Sequence, residues 1–102
     1  MTIDLRETRA SQRYEAKLPV TVGVAGRQFA CETGNVSLGG AYLITPERFP
    51  LGTKLSVRIV LPKVKDAIEV GVTVRWTADT GFGVQFDGLR ARDVWALGKF
   101  LA

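Results

Sequence analysis

The sequence predicts an all-β fold of about six short antiparallel strands, arranged as a small barrel or sandwich and followed by a C-terminal α-helix. Apolar residues recur at every second position over several short segments, which is the spacing of half-buried strands. Glycine, proline, asparagine and aspartate separate these segments, as turn residues do. After Asp87 the apolar spacing changes to that of a helix.

The predicted strands follow one another through short connections. The charged residues 1–16 show little apolar periodicity and are predicted to be a flexible N-terminal segment. Pro19 lies near the start of the first strand, where a missing backbone N–H is tolerated. A Gly/Asn/Ser-rich connection is predicted over residues 34–40. The predicted strands span residues 17–24, 27–33, 41–45, 54–61, 67–77 and 82–86.

Two local expectations concern the end of the chain. Trp76 continues an unbroken apolar alternation in the fifth strand, so we expect it in the core rather than at a ligand surface. Asp87 is a candidate N-cap for the helix. The apolar face of that helix carries Val94 and Leu97, whereas Gly98 weakens the helical pattern.

Composition indicates a single small domain that favours anionic partners. The chain has 102 residues and a net charge of +4, a surplus too mild to require nucleic acid. Cys31 is the only cysteine, so no internal disulfide can form, and we expect a small buried thiol. No segment approaches the roughly 20 apolar residues of a membrane span. The N-terminus has no apolar signal region, so the predicted location is the cytoplasm.

The same composition argues against an enzyme. The chain has no histidine, and no grouping of residues in the sequence suggests a metal site or an activated nucleophile. The acidic residues Asp66, Glu69 and Asp79 are scattered at predicted strand ends and turns, where they read as solubilising charges.

An arginine pair precedes the first strand. Arg9 and Arg13 are four residues apart, which places both on one side of either a helix or an extended chain. Guanidinium groups bind phosphate in a bidentate manner and donate to the O6 and N7 atoms of guanine. Taken alone, such a pair is more often a solvated charged surface.

A glycine-rich motif follows the second strand. Asparagine, serine and glycine at these positions are typical of an ordinary turn. Glycine also lets a ligand approach the backbone closely, and Asn and Ser offer donors and acceptors to a base edge or phosphate. Together with the arginine pair, this motif predicts a site for a planar anionic ligand such as a guanine nucleotide. Its residues are Asn35, Val36, Ser37, Leu38, Gly39 and Gly40.

At these residues the chain resembles the PilZ domain family, bacterial receptors for the second messenger cyclic di-GMP. The family motif is Arg-x-x-x-Arg followed by Asp/Asn-x-Ser-x-x-Gly. Further similarity lies at Arg75-Trp76 and over residues 81–86, and the likeness extends from Arg9 to Leu101. The motif positions are filled by Arg9, Arg13, Asn35, Ser37 and Gly40, with Gly39 as a common extra glycine.

The resemblance implies a six-stranded antiparallel barrel with a C-terminal helix over residues 17–102, and an arginine-bearing segment 1–16 that closes over cyclic di-GMP. It implies that Arg9 and Arg13 bind guanine and phosphate. Asn35 and Ser37 would contact the ligand from the barrel surface. Gly39 and Gly40 belong to the same site, where Gly40 would keep the turn open.

One position departs from some members of the family. Thr8 stands where they carry an arginine associated with a stacked pair of ligands. This departure favours one ligand per chain. No cofactor other than the ligand is expected.

The leading hypothesis is therefore a cyclic di-GMP receptor that acts as an adaptor. Ligand binding would order its N-terminal segment and pass a signal to a partner protein, with motility and polysaccharide secretion both open as outputs. One alternative is a PilZ-like interaction module that does not bind nucleotide. A small-barrel nucleic-acid binder is a third and less favoured hypothesis.

Overall fold

The computed structural model describes residues 13–101, which form seven β-strands and one α-helix. In chain order these elements are β1 (Tyr14–Glu15), β2 (Pro19–Val24), β3 (Arg27–Val36), β4 (Gly40–Ile44), β5 (Lys54–Ile59), β6 (Ile68–Ala78), β7 (Gly81–Phe86) and α1 (Ala91–Leu101).

Six of the strands form a closed antiparallel barrel. Hydrogen-bonded neighbours run in the order β3-β2-β5-β6-β7-β4, and β4 pairs again with β3 to close the ring. Closure removes the exposed sheet edges that would otherwise invite pairing with other chains. The predicted six-stranded barrel with a C-terminal helix is confirmed, with β1 as one additional short strand.

Alternating side chains fill the interior of the barrel. In β5, for example, Leu55, Val57 and Ile59 are buried, whereas Lys54, Ser56 and Arg58 between them are exposed. Leu97 of α1 is fully buried in the same core, so the helix packs against the barrel. Burying each such side chain contributes about 1.5–3 kcal/mol, and this apolar packing stabilises the closed ring.

Strand β3 is longer than the sequence predicted. The connection expected over residues 34–40 shortens, because Asn35 and Val36 belong to the strand. These two residues pair with β1 on one side and with Tyr42 and Ala41 of β4 on the other. Pairing along both edges therefore outweighs the turn preference of the Gly-Asn sequence.

The helix begins later than predicted, and Asp87 is not its N-cap. Ala91 is the first helical residue, and the Asp93 carboxylate accepts a hydrogen bond from the backbone N–H of Arg90 at 3.4 Å. This is one half of a capping box. The Asp87 carboxylate instead accepts a hydrogen bond from the Thr73 hydroxyl at 2.7 Å and lies 3.5 Å from Lys54 Nζ.

The expectation that Trp76 lies in the core is also wrong. The register between β6 and β7 shifts between Val74 and Trp76, so Arg75 occupies a β-bulge. Two consecutive residues after Val74 are therefore exposed, and the Trp76 side chain lies on the outer face with 41% of its surface accessible. A bulge reverses the alternation on which the expectation was based.

Two further findings concern the ends and the surface of the chain. Residues 1–12 lie outside the described residues, and Tyr14–Glu15 is paired with β3, so the flexibility of segment 1–16 stays a prediction. Between residues 13 and 101, no helix is long and apolar enough to cross a lipid bilayer.

Cys31 provides a test of the packing of β3. Its side chain is partly buried against the core, and burial raises the pKa of the thiol from 9.0 to about 11, helped by the nearby charge of Glu32. At pH 8 the folded protein should therefore react with iodoacetamide about 100-fold more slowly than the urea-unfolded chain, because the thiolate is the nucleophile. Mass spectrometry of the alkylated fraction over time measures this.

The raised pKa of Cys31 also predicts how the free energy of unfolding changes with pH. Because the unfolded thiol ionises at lower pH than the folded one, the free energy of unfolding should fall as pH rises above about 9. Equal alkylation rates in the folded and unfolded chains would show that Cys31 is not held against the core.

Candidate functional site

Ser37 closes the turn between β3 and β4. Its backbone N–H donates to the Gly40 carbonyl at 2.8 Å, and its hydroxyl accepts from the N–H groups of Gly39 and Gly40, both at 3.1 Å. The side chain is fully buried. The hydroxyl thus closes the turn and shapes the site, and direct contact of Ser37 with a ligand stays a prediction.

Gly40 is required by the approach of two strands. A Cβ built at this position would lie 2.0 Å from the Val84 carbonyl oxygen of β7, far inside any real contact. Any side chain would therefore separate β4 from β7. The expectation that Gly40 keeps the turn open is thus refined, since its missing side chain keeps the barrel closed at the turn.

Arg13 lies beside the turn and is bonded to a second motif residue. Its Nη1 atom donates a hydrogen bond to Asn35 Oδ1 at 2.8 Å. Arg13 directly precedes β1, whose Glu15 pairs with Asn35, so the sheet fixes the backbone next to the guanidinium. Arg9 lies outside the described residues, and its convergence with Arg13 stays a prediction.

The connection from β1 into the barrel is fastened by Thr33. The fully buried hydroxyl of this residue donates to the Ala16 carbonyl at 2.5 Å and accepts from the Leu18 N–H at 2.9 Å. The Thr33 N–H also donates to the Leu18 carbonyl at 3.0 Å. These bonds anchor the three residues that join the Arg13 region to β2.

An aromatic pair covers the outer face of β7. Trp76 and Tyr42 stack with their ring centroids 5.0 Å apart and an angle of 6° between the planes. Both residues pair with Gly83, which lies between them on β7 and is buried beneath the rings. The Tyr42 hydroxyl shares a 2.5 Å hydrogen bond with the Thr80 hydroxyl, which orients the platform.

Arg13, Ser37 and Trp76 meet in one recess, which we call the turn groove, whereas Asn35 and Gly40 are not among its lining residues. It has a volume of about 400 Å³, and Arg75 on its wall donates from Nε to Gln85 Oε1 at 2.8 Å. Two guanidinium groups and an indole thus surround one concave surface, with no lining carboxylate in the part of the chain described. The lining residues are Arg13, Ser37, Gly39, Arg75, Trp76, Val84, Gln85 and Phe86.

The turn groove has the chemistry to bind a flat anionic ligand. Guanidinium groups pair with phosphate oxygens, and an exposed indole offers a face on which a base can stack. Within residues 13–101, no group of three or more His, Cys, Asp or Glu side chains could hold a metal ion.

A larger recess elsewhere is less suited to an anion. It measures about 930 Å³ and is lined by residues 48–51 and 77–79. The Arg48 guanidinium there already donates to the backbone carbonyls of Thr45, Glu47 and Asp79. We therefore assign the candidate site to the turn groove despite its smaller size.

Sequence reasoning did not include Arg75, Trp76 and Gln85 among the site residues. The available signal was glycine at alternate positions of β7, Gly81 and Gly83, which leaves the outer face without side chains over the first half of the strand. Such a strand gives an aromatic side chain on a neighbouring strand room to lie across it. The bulge at Arg75, which turns Trp76 into that space, has no comparable signal in the sequence.

A closed six-stranded antiparallel barrel with a C-terminal helix, and a basic and aromatic groove at a serine-closed turn, places the protein in the class of small β-barrel domains. The model of the PilZ domain family matches residues 7–102. The chain therefore belongs to the PilZ domain family, as the motif predicted.

Comparison with solved structures supports the same fold. The inhibitor of motility MotI/DgrA from Bacillus subtilis matches with a TM-score of 0.77 and 22% sequence identity, covering 90% of this chain. This chain covers 48% of that protein, about half its length. At this identity the likeness shows the fold alone. A search of curated protein sequences finds no match.

The aromatic platform predicts a specific effect of Gly83→Ala. A Cβ at this position would lie 2.3 Å from the Trp76 indole, so the ring must move and the stack with Tyr42 should open. We expect the variant to lose about 1–3 kcal/mol of stability and to change the Trp76 fluorescence maximum. Measurements in a Trp95→Phe background leave Trp76 as the only tryptophan.

Gly88→Ala is the matched control, because a Cβ there meets no atom within 4 Å. Unchanged fluorescence and stability in Gly83→Ala would contradict the described packing of the indole over β7.

The hydrogen bonds of the Thr33 hydroxyl should anchor the connection between the Arg13 region and β2. Thr33→Val removes both hydroxyl bonds and leaves the buried Leu18 N–H without a partner, which should cost about 1–3 kcal/mol in urea unfolding. Amide exchange at Leu18 should accelerate in the same variant. Thr33→Ser retains the hydroxyl and should restore slow exchange, whereas fast exchange in both variants would show that the hydroxyl is not the anchor.

Proposed function

We propose that the protein is a receptor for cyclic di-GMP and acts through binding rather than catalysis. The observation that carries the proposal is the turn groove, where Arg13, Arg75 and the exposed Trp76 line one concave surface beside the family motif. Membership of the PilZ domain family supports the ligand class.

Charge favours this ligand. Cyclic di-GMP carries two phosphate charges on a compact ring, and two arginines line the groove, with no carboxylate among the lining residues described. Arg13 uses one of its five N–H donors on Asn35, which leaves donors for a guanine edge or a phosphate. Arg9, from the same segment as Arg13, would supply a third guanidinium once the ligand is bound.

Trp76 supplies the flat surface. Its indole is 41% exposed and held by the stack with Tyr42, so its position is set before a ligand arrives. Base stacking on an aromatic side chain contributes about 1–3 kcal/mol. One such platform lies in the turn groove, which agrees with the preference for one ligand per chain.

A route for signalling follows from the position of β1. Ligand contacts with Arg13 act on a residue adjacent to Tyr14–Glu15, and these residues pair directly with Asn35–Val36 of the motif strand. Binding would therefore order the N-terminal segment against the barrel and change the surface shown to a partner protein. The proposal leaves motility and polysaccharide secretion both open as the output that this partner controls.

Isothermal titration with cyclic di-GMP tests the proposal. Wild-type protein should bind at tens of micromolar or tighter. Arg13→Ala and Trp76→Ala should each weaken binding about tenfold or more, because each removes one of the contacts described. Arg58→Ala is the matched control, since it removes an exposed guanidinium that pairs with Glu69 across β5 and β6, outside the groove.

The alternative function gives a different result. A PilZ-like interaction module that does not bind nucleotide would show no heat and no thermal shift with the wild-type protein. Equal affinity of wild type and Trp76→Ala would place the ligand elsewhere on the barrel.

A further inference from the structure

A second groove lies between α1 and the connection from β5 to β6, and we call it the helix groove. It encloses about 420 Å³, with Pro62, Val64, Ala96 and Phe100 as apolar walls. Trp95 stands at its edge with 66% of its surface exposed, the most exposed large hydrophobic side chain described. This groove shares no lining residue with the turn groove.

Two lysines frame this apolar recess. Lys99 Nζ lies over the Trp95 ring at 5.2 Å from its centroid, and Lys63 lines the opposite side on the connection. Among the lining residues there is no acidic side chain. The helix groove therefore combines an apolar interior with a positive rim.

The conformation of Lys63 is unusual for its residue type. The Val64 N–H bonds to the Leu61 carbonyl at 3.4 Å, which closes a turn with Pro62 and Lys63 at its centre. Lys63 has a φ of 63°, at the turn position where a positive φ normally calls for glycine. Holding a lysine there costs about 1–2 kcal/mol of backbone energy. Glycine would fit the turn better but would remove the positive charge from the rim.

We propose that the helix groove binds an acidic peptide segment of a partner protein, with one apolar side chain inserted between Trp95 and Val64 and carboxylates flanking it. Charge complementarity with Lys63 and Lys99 selects an acidic sequence. The concave shape suits an inserted side chain, whereas a lipid surface is flat and would favour a protruding apolar face. A second copy of this chain is a poor match, because its net charge is +4.

Selection from a library of short random peptides displayed on phage, with the intact protein as target, tests the proposal. Enriched peptides should carry a Leu, Ile or Phe flanked by Asp or Glu. Fluorescence titration of a selected peptide should show about tenfold or greater loss of affinity in Trp95→Ala, because an exposed aromatic anchor dominates such contacts. Lys99→Gln should lose about two- to fivefold.

Lys63→Gly separates binding from folding. It should reduce peptide affinity by about two- to fivefold while leaving the urea midpoint no lower than that of wild type, since glycine suits the positive φ. Leu51→Ala and Lys17→Gln are matched controls, because they remove an exposed large hydrophobic side chain and an exposed lysine outside the helix groove. Both controls should bind the selected peptide as wild type does.

Several results would overturn the proposal. These are failure to enrich any peptide, enriched peptides without acidic residues, and equal affinity in wild type and Trp95→Ala. Two further results would assign the groove to another occupant. One is Trp95-dependent sedimentation with vesicles of phosphatidylcholine and phosphatidylglycerol, and the other is a dimer that Trp95→Ala dissociates.

Discussion

The barrel and its turn groove both depend on the pairing of β3 along its two edges. Near its end this strand bonds to β1 on one side and to β4 on the other, and the β4 pairing closes the ring. The same pairing places Asn35 between the Arg13 region and Tyr42. Loss of the β4 edge would open the barrel, and loss of the β1 edge would release the segment that carries Arg13, so the closed ring and the site both depend on this one strand.

Across the outer face, residues paired in register bring the site together. Asn35 pairs with Tyr42, Tyr42 with Gly83, and Gly83 with Trp76, so one row crosses four neighbouring strands. These residues are separated in the sequence, and only the register of the sheet brings them next to one another in space. The register therefore determines the spacing between the polar end of the row and its aromatic end.

Much of the fold was accessible from the sequence because apolar alternation reports which side chains enter a core. The pattern in β5 predicted both the strand and its buried face. The positions of Asn35, Trp76 and Asp87 were harder to predict from the sequence, because each depends on a contact with another strand. Tertiary pairing extended β3, a bulge turned Trp76 outward, and Thr73 and Lys54 drew Asp87 away from the helix. The motif predicted the turn but not that the Ser37 hydroxyl would be consumed within it.

The bulge at Arg75 gives β6 one residue more than the part of β7 with which it pairs. Without the bulge, strict alternation over the same residues would pair Arg75 with Gly83 and turn the indole towards the interior, where Val74 and Phe82 already fill the space. Deletion of Arg75 would also remove the bulge, but it would leave the indole outward and opposite Gly83. Most substitutions of one outward-facing side chain by another would leave unchanged which residues of β6 face outward. Loss of residue 75 should therefore be tolerated by the barrel over evolutionary time, and it would remove the guanidinium without moving the indole.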